Sequence, residues 1–172
     1  MRSVIDAQMM FGSIDISTIE FNPKSRDDIP QLLRGLQFIF LNLELRKRVF
    51  ALLEEVRPLS VKGNGKASAK TGRPGMHQWR ILVLGTLRLG LNENYDRILE
   101  LANEHVTLRQ MLGHGDAWAD KTRYHLQTLK DNLTLFTPEI LDKINLEVVA
   151  AGHQLLKKKR QKSSSTPVAI RL

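Results

Sequence analysis

The sequence predicts an all-α fold, a multi-helix bundle that includes a helix-turn-helix-like block. Three observations carry this expectation. Apolar residues recur at helical spacing in each segment from Leu32 to Leu155. Residues that start and stop helices bracket those segments. Only one stretch alternates apolar and polar residues in the manner of a strand. With 172 residues and a hydrophobic fraction of 42%, the chain is long and apolar enough to bury a real core.

Taken in order, the alternating stretch comes first. Ile14, Ile16, Ile19 and Phe21, interleaved with Asp15, Ser17, Thr18 and Glu20, read as one possible strand or extended segment. A helical pair follows. Asp27 or Asp28 caps a helix with Pro30 in its first turn, where a missing N–H costs nothing. Leu32, Leu33, Leu36, Ile39, Phe40 and Leu43 form its stripe. Leu45, Val49, Leu52, Leu53 and Val56 form a second stripe, which Pro58 ends. Arg46, Lys47 and Arg48 fall between the stripe positions and face solvent.

Residues 60–75 read as a linker. Gly63, Gly65, Gly72 and Gly75 alternate with Lys62, Lys66, Lys70 and Arg73, and nothing large and apolar follows Val61. Such a segment suits a phosphate backbone or a minor groove, and equally a plain tether. A helical block from residue 76 to 160 comes next. In its first helix Met76, Trp79, Leu82, Val83 and Leu87 share one face, and His77, Arg80, Leu84 and Arg88 another. Gly90 stops it. Asn92 is positioned to cap the next helix, with a buried stripe of Tyr95, Ile98, Leu99 and Ala102, and Val106 following. A short segment from Leu108 ends at the Gly113-His114-Gly115 turn. Asp120 then caps a helix whose Thr122, Leu126, Leu129 and Leu133 fall within about 60° of one another on the helical wheel. Lys121, Arg123, Tyr124, Gln127 and Thr128 point away from that stripe, the pattern of a recognition helix and also of an ordinary solvated face. Thr137-Pro138-Glu139 opens a long helix carried by Ile140, Leu141, Ile144, Val148 and Leu155, ending in Lys157-Lys158-Lys159-Arg160-Gln161-Lys162. Residues 161–172 read as a disordered tail. The expected organisation is thus an extended segment and hairpin over 1–59, a basic linker over 60–75, the helical block over 76–160, and the tail.

Charge and composition narrow the function. Lys and Arg total 26 against 18 Asp and Glu, a net +8 with a pI near 10.0, which favours a polyanionic partner. With no cysteine there is no disulfide framework, thiolate zinc site or thiol nucleophile. The most apolar run, between Ile81 and Leu91, is short and broken by Arg88, so no membrane span or signal peptide is expected, and the cytoplasm is the simple location. His77, His105, His114, His125 and His153 are scattered, without the spacing of a helix-borne metal site. Phosphate-binding loops, nucleophile elbows and strand-borne acid clusters are missing as well. On its own residues the chain reads as a binding module with no metal, no cofactor and no catalytic residue.

One run is more specific: Gly72-Arg73-Pro74-Gly75-Met76-His77-Gln78-Trp79-Arg80-Ile81-Leu82-Val83-Leu84, then Leu89-Gly90-Leu91-Asn92, then Leu108-Arg109-Gln110-Met111-Leu112-Gly113. It resembles the N-terminal domain of DDE-type insertion-sequence transposases. Asp120-Lys121-Thr122-Arg123 is similar to that family's lead into a DNA-contacting helix, with the arginine directly after the threonine where the family spaces them apart. Ser25-Arg26-Asp27-Asp28-Ile29-Pro30 and Leu33-Arg34-Gly35-Leu36-Gln37 resemble the unclassified (ISNCY-like) subgroup. The resemblance runs from Ser25 to Lys159. It implies a multi-helix domain that binds double-stranded DNA at terminal inverted repeats and precedes a ribonuclease-H-like catalytic domain. No position here matches the family's catalytic motif, so no catalytic residue carries over and no strand transfer is expected of this chain alone. The expected DNA contacts are Arg73, His77, Arg80, Arg88, Lys121, Arg123, Tyr124, Gln127 and Thr128. Two other readings stand beside this one: a helical interaction module, with a homodimer formed through the hairpin between Leu32 and Val56, and a stand-alone helix-turn-helix regulator.

Overall fold

A computed structural model describes residues 15–22, 24–55, 76–115 and 120–164. Those residues are all-α, with seven helices and no strand: α1 (Asp28–Leu41), α2 (Leu43–Glu55), α3 (Gln78–Gly90), α4 (Tyr95–Glu104), α5 (Val106–Met111), α6 (Leu126–Leu133) and α7 (Pro138–Ser164). The linker expected over 60–75 lies outside the described residues, as does Arg73.

The segment expected to be extended instead carries a 3-10 turn at Ile16–Thr18, capped by the Asp15 carboxylate, which accepts from the Ser17 N–H at 2.9 Å. A spacing of three puts Ile16 and Ile19 on one side, and both are buried. The Gln37 amide of α1 donates to both their carbonyls, at 2.7 and 3.0 Å, which supplies the tertiary partner that a strand would have lacked.

In α1 the Asp27 carboxylate accepts from the Ile29 N–H, and Pro30 occupies the first turn as expected. Asn42 separates α1 from α2 and caps α2 by accepting from the Leu45 N–H at 3.1 Å. Leu33, Leu36, Ile39, Leu45, Val49 and Leu53 are buried, so the hairpin turns its stripes into the core of its own chain. There Trp79 of α3 is fully enclosed, with the rings of Phe40 and Phe50 at 5.0 and 6.5 Å, and its indole N–H donates to the Met111 carbonyl at 2.7 Å. The hairpin and the later helices therefore share one core.

α3 is the central helix: Trp79, Ile81, Leu82, Val83, Leu84, Gly85 and Leu87 are all buried. Its end is followed by a turn in which Asn92 takes a left-handed φ of 53°. Asn92 is thus a turn residue, and the cap of α4 is Asn94, whose side chain accepts from the Arg97 N–H at 2.8 Å. α3, α4 and α6 pack pairwise, while α5 lies against α4 and α1. Val106, expected to continue the buried stripe, is 61% exposed because α5 begins a new helix axis there. α7 packs along α2, and its helix reaches Ser164, beyond the boundary at 161 that the polar tail implied.

Candidate functional site

Residues 120–125 are not helical. The helix expected to begin after Asp120 begins at Leu126, and the preceding residues form a strap laid across the corner between α4 and α5. Side chains from that corner hold the strap by its backbone. The Asn103 amide accepts from the Tyr124 N–H at 2.8 Å and donates to the Tyr124 carbonyl at 3.1 Å, so one side chain stands in for a strand partner. Arg109, buried between Leu108 and Met111, donates to the Thr122 carbonyl at 3.0 Å and to the Asp120 carbonyl at 2.9 Å. Arg123 donates to the Asn103 carbonyl and lies 3.5 Å from the Glu104 carboxylate.

Beneath the strap sits a chain of three titratable groups. His114 is only 2% exposed. Its Nδ1 is 2.7 Å from Asp120 Oδ2 and its Nε2 is 2.7 Å from the Tyr124 hydroxyl. An ionised carboxylate only accepts, so Nδ1 carries the proton and Nε2 accepts from the Tyr124 O–H. Gly113, at φ 77°, turns the chain so that the imidazole enters the core. Burial holds the His114 pKa below its ordinary value, against the Asp120 hydrogen bond, and the nearby Arg80 and Arg109 act in the same direction as burial. Desolvation alone would raise the Asp120 carboxyl. The hydrogen bonds from Thr122 and His114 outweigh it and hold the group well below the usual carboxylate range. Burial pushes the Tyr124 hydroxyl up to about 12. A hydroxyl held protonated in this way is the opposite of an activated nucleophile, so the trio is a latch for the strap.

This geometry corrects the expected role of Tyr124. It is buried at 8% exposure with its hydroxyl spent on His114, so it does not point outward toward a groove. The other expected contacts divide into two groups. Lys121, Arg123, Gln127 and Thr128 are exposed along the strap and the first turn of α6, with Gln127 donating to the Asp131 carboxylate at 2.7 Å. His77, Arg80 and Arg88 are half-buried on α3 or at its start and do not join that edge. Arg80 donates to the Leu112 carbonyl at 2.9 Å, and the Arg88 guanidinium stacks 4.3 Å from the Tyr95 ring centroid. Beside the exposed edge is a cleft of about 330 Å³ lined by Asn103, Glu104, Val106, Arg109, Asp120, Lys121 and Arg123.

Sequence reasoning treated His114 as a turn residue, quoted Arg109 only within the segment that carries the family resemblance and gave it no site role, and passed over Asn103. Their local signal is slight: an amide next to buried Ala102, and a cation between Leu108 and Met111. No group of three His, Cys, Asp or Glu suited to a metal ion occurs among the described residues. No described helix is long and apolar enough to cross a membrane. Comparisons with family models, curated proteins and solved structures each return no match for this chain.

Proposed function

We propose that this chain binds double-stranded DNA as the N-terminal part of a DDE-type insertion-sequence transposase, acting in the cytoplasm on terminal inverted repeats. The transposase class rests on the resemblance of the segments around Gly72, Leu89 and Leu108. The observation that carries DNA binding is the distribution of charge. Residues 56–75 hold five Lys or Arg and no acid, and residues 154–172 hold six and no acid. All 18 acids fall elsewhere, among the remaining fifteen cations. Two acid-free basic segments in one chain are suited to phosphate backbones.

Sequence preference is assigned to the exposed edge formed by Lys121, Arg123, Gln127 and Thr128. Leu129 and Leu133 are buried against the bundle and orient α6 so that Gln127 and Thr128 face outward. In this reading α6 is the recognition element of a helix-turn-helix-like block, with the strap in place of a short turn. Cofactors and catalysis play no part in this binding step.

The test is an anisotropy titration of the purified chain against duplexes carrying the element's own ends and against random duplex. Arg123→Ala or Gln127→Ala costs about 1–3 kcal/mol on the preferred duplex only. Equal losses on both duplexes would reduce the α6 edge to phosphate contact. No preference for the element ends in the native chain would remove the transposase reading.

A further inference from the structure

We propose that residues 120–125 form a proton-released flap: with His114 neutral the strap is latched over the corner between α4 and α5 and completes the cleft there, and with His114 protonated it lifts while the helical bundle stays folded. The latch is a property of the fold and does not depend on DNA binding.

Every hydrogen bond that fastens the strap to the bundle uses a side chain. No backbone-to-backbone hydrogen bond joins residues 120–124 to another described residue. Asn103 and Arg109 hold the strap by its peptide groups, and His114 holds the Asp120 carboxylate and the Tyr124 hydroxyl, each at 2.7 Å. The cleft takes its lining from both sides: Asn103, Glu104, Val106 and Arg109 from the corner, Asp120, Lys121 and Arg123 from the strap. Lifting the strap therefore takes the cleft apart and carries Lys121 and Arg123 away from Gln127 and Thr128. The motion is local. Tyr124 is the one buried residue of the strap, whereas α6 stays anchored by Leu129 and Leu133.

The imidazole decides whether the latch fits. Neutral, it donates from Nδ1 to Asp120 and accepts at Nε2 from the Tyr124 O–H. A second ring proton turns Nε2 into a donor. The Tyr124 oxygen must then accept, and its own proton loses the one acceptor it has among the described residues. Tyr124 is buried, so an unpartnered O–H there is costly. The charged groups that face His114 add to this cost. Arg80 on α3 and Arg109 on α5 are cations, Asp120 on the strap is the one anion, and Tyr124 stays neutral. Burial and the two guanidiniums outweigh the carboxylate, so the ring takes its proton more readily once an open strap lets water reach it. Asp120 is held ionised and Tyr124 protonated between pH 5 and pH 8, which leaves His114 as the member of the trio that titrates there.

Amide hydrogen exchange of the full chain, resolved by NMR at pH 8 and pH 5 and corrected for intrinsic rates, tests the flap. The reporter is the Tyr124 N–H, held by the Asn103 side chain. Its protection is expected to fall by up to about thirtyfold between the two pH values, the limit for a group of ordinary pKa 6.5 that takes its proton only in the open state. The fall should track the titration of the His114 ring resonances. Urea below the unfolding transition should leave Tyr124 exchange unchanged, because lifting the strap exposes little surface, and should speed exchange of the buried α3 amides. In His114→Gln the side-chain amide donates to Asp120 and accepts from Tyr124 without titrating, so the strap should stay protected at both pH values although His105 and His125 are retained. If that variant does not fold, the match between Tyr124 exchange and the His114 titration in the native chain decides. Equal Tyr124 protection at pH 8 and pH 5 overturns the inference. So does Tyr124 exchange that is as slow and as urea-sensitive as that of α3, since the strap would then open only with the whole bundle. A folded His114→Gln chain with the native response to acid overturns it as well.

Discussion

At the scale of single residues, two glycines with the same helical backbone differ in what surrounds them. A methyl group built on Gly85 would lie 2.5 Å from the Phe136 ring, so the glycine lets α3 and the chain after α6 approach closely. Nothing lies within 4 Å of the corresponding position on Gly35, which sits exposed inside α1. Gly35→Ala should therefore stabilise the fold by about 0.5–1 kcal/mol through the unfolded chain, and Gly85→Ala should destabilise it by about 1–3 kcal/mol through overpacking. Urea unfolding midpoints moving the same way for both would contradict this packing. His114 gives a second test, through pH. Its folded pKa lies below the ordinary value of 6.5, so between the two the unfolded chain binds a proton that the folded chain does not. Stability thus rises with pH across that window, and this contribution is lost as pH falls from 6.5 through the folded pKa. Asp120, also held low, adds further loss below its ordinary 3.8. Tyr124 has the opposite sign. Raised from 10.0 to about 12, it keeps a proton that the unfolded chain releases, and stability falls as pH climbs above 10. Unfolding midpoints measured at pH 8 and pH 5 should differ less in His114→Leu than in the native chain; an equal difference would mean that His114 does not couple to folding.

At the scale of elements, the legible parts are those whose cause is local. The Asp27 cap, the Pro30 first turn and the stripe from Leu33 to Ile39 are all specified within a few residues of each other, and α1 forms where they place it. The same holds for the buried circumference of α3. What failed has causes far along the chain. Ile16 and Ile19 alternate with polar neighbours as a strand would, yet the donor that holds their carbonyls is Gln37. Residues 121–125 continue a helical pattern into α6, yet Asn103 and Arg109 keep them extended by bonding the backbone groups that a helix would use. The partners lie 11 to 21 residues away, and hydrophobic periodicity carries no signal for a side chain bonding a distant backbone group. The candidate site divides in the same way. Lys121, Arg123, Gln127 and Thr128 were legible as an outward edge, while Tyr124 was misread because its partner His114 lies across a turn. Arg109→Met tests the long-range cause. It leaves the Asp120 and Thr122 carbonyls without their guanidinium donor and should cost about 2–4 kcal/mol. Hydrogen exchange should speed up in residues 120–133 while the amides of α3 keep their protection. Uniform acceleration through α3 would show that Arg109 supports the whole bundle, with no special part in docking the strap.

At the scale of the whole molecule, the net charge of +8 comes from two stretches of the chain, residues 56–75 and residues 154–172, the second of which overlaps the end of α7. Outside residues 56–75 and 154–172, fifteen cations face eighteen acids. Several of those cations are engaged inside the body: Arg97 with Glu100 at 2.6 Å, Arg48 with Glu147, Lys47 with Glu44 at 3.3 Å, and Arg123 beside Glu104. The helical body therefore offers shape and a short polar edge but little long-range attraction for a polyanion. The two acid-free basic segments offer the sequence-independent attraction to phosphate. Affinity and selectivity should then separate experimentally. With about five phosphates neutralised, log K falls against log salt with a slope near −4 to −5. Replacing Lys66 and Lys70 with Ala should flatten that slope by up to roughly two units and weaken specific and random duplexes alike. Arg123→Ala should change the slope by about one unit at most, yet diminish the advantage of the preferred duplex. The outcome that would sink this division is a slope unchanged by the two lysines and abolished by Arg123, for the electrostatic contact would then lie on the strap. Affinity indifferent to salt in the native chain would remove nucleic acid as the partner altogether, because eleven cations in acid-free segments cannot bind a phosphate backbone without releasing counterions.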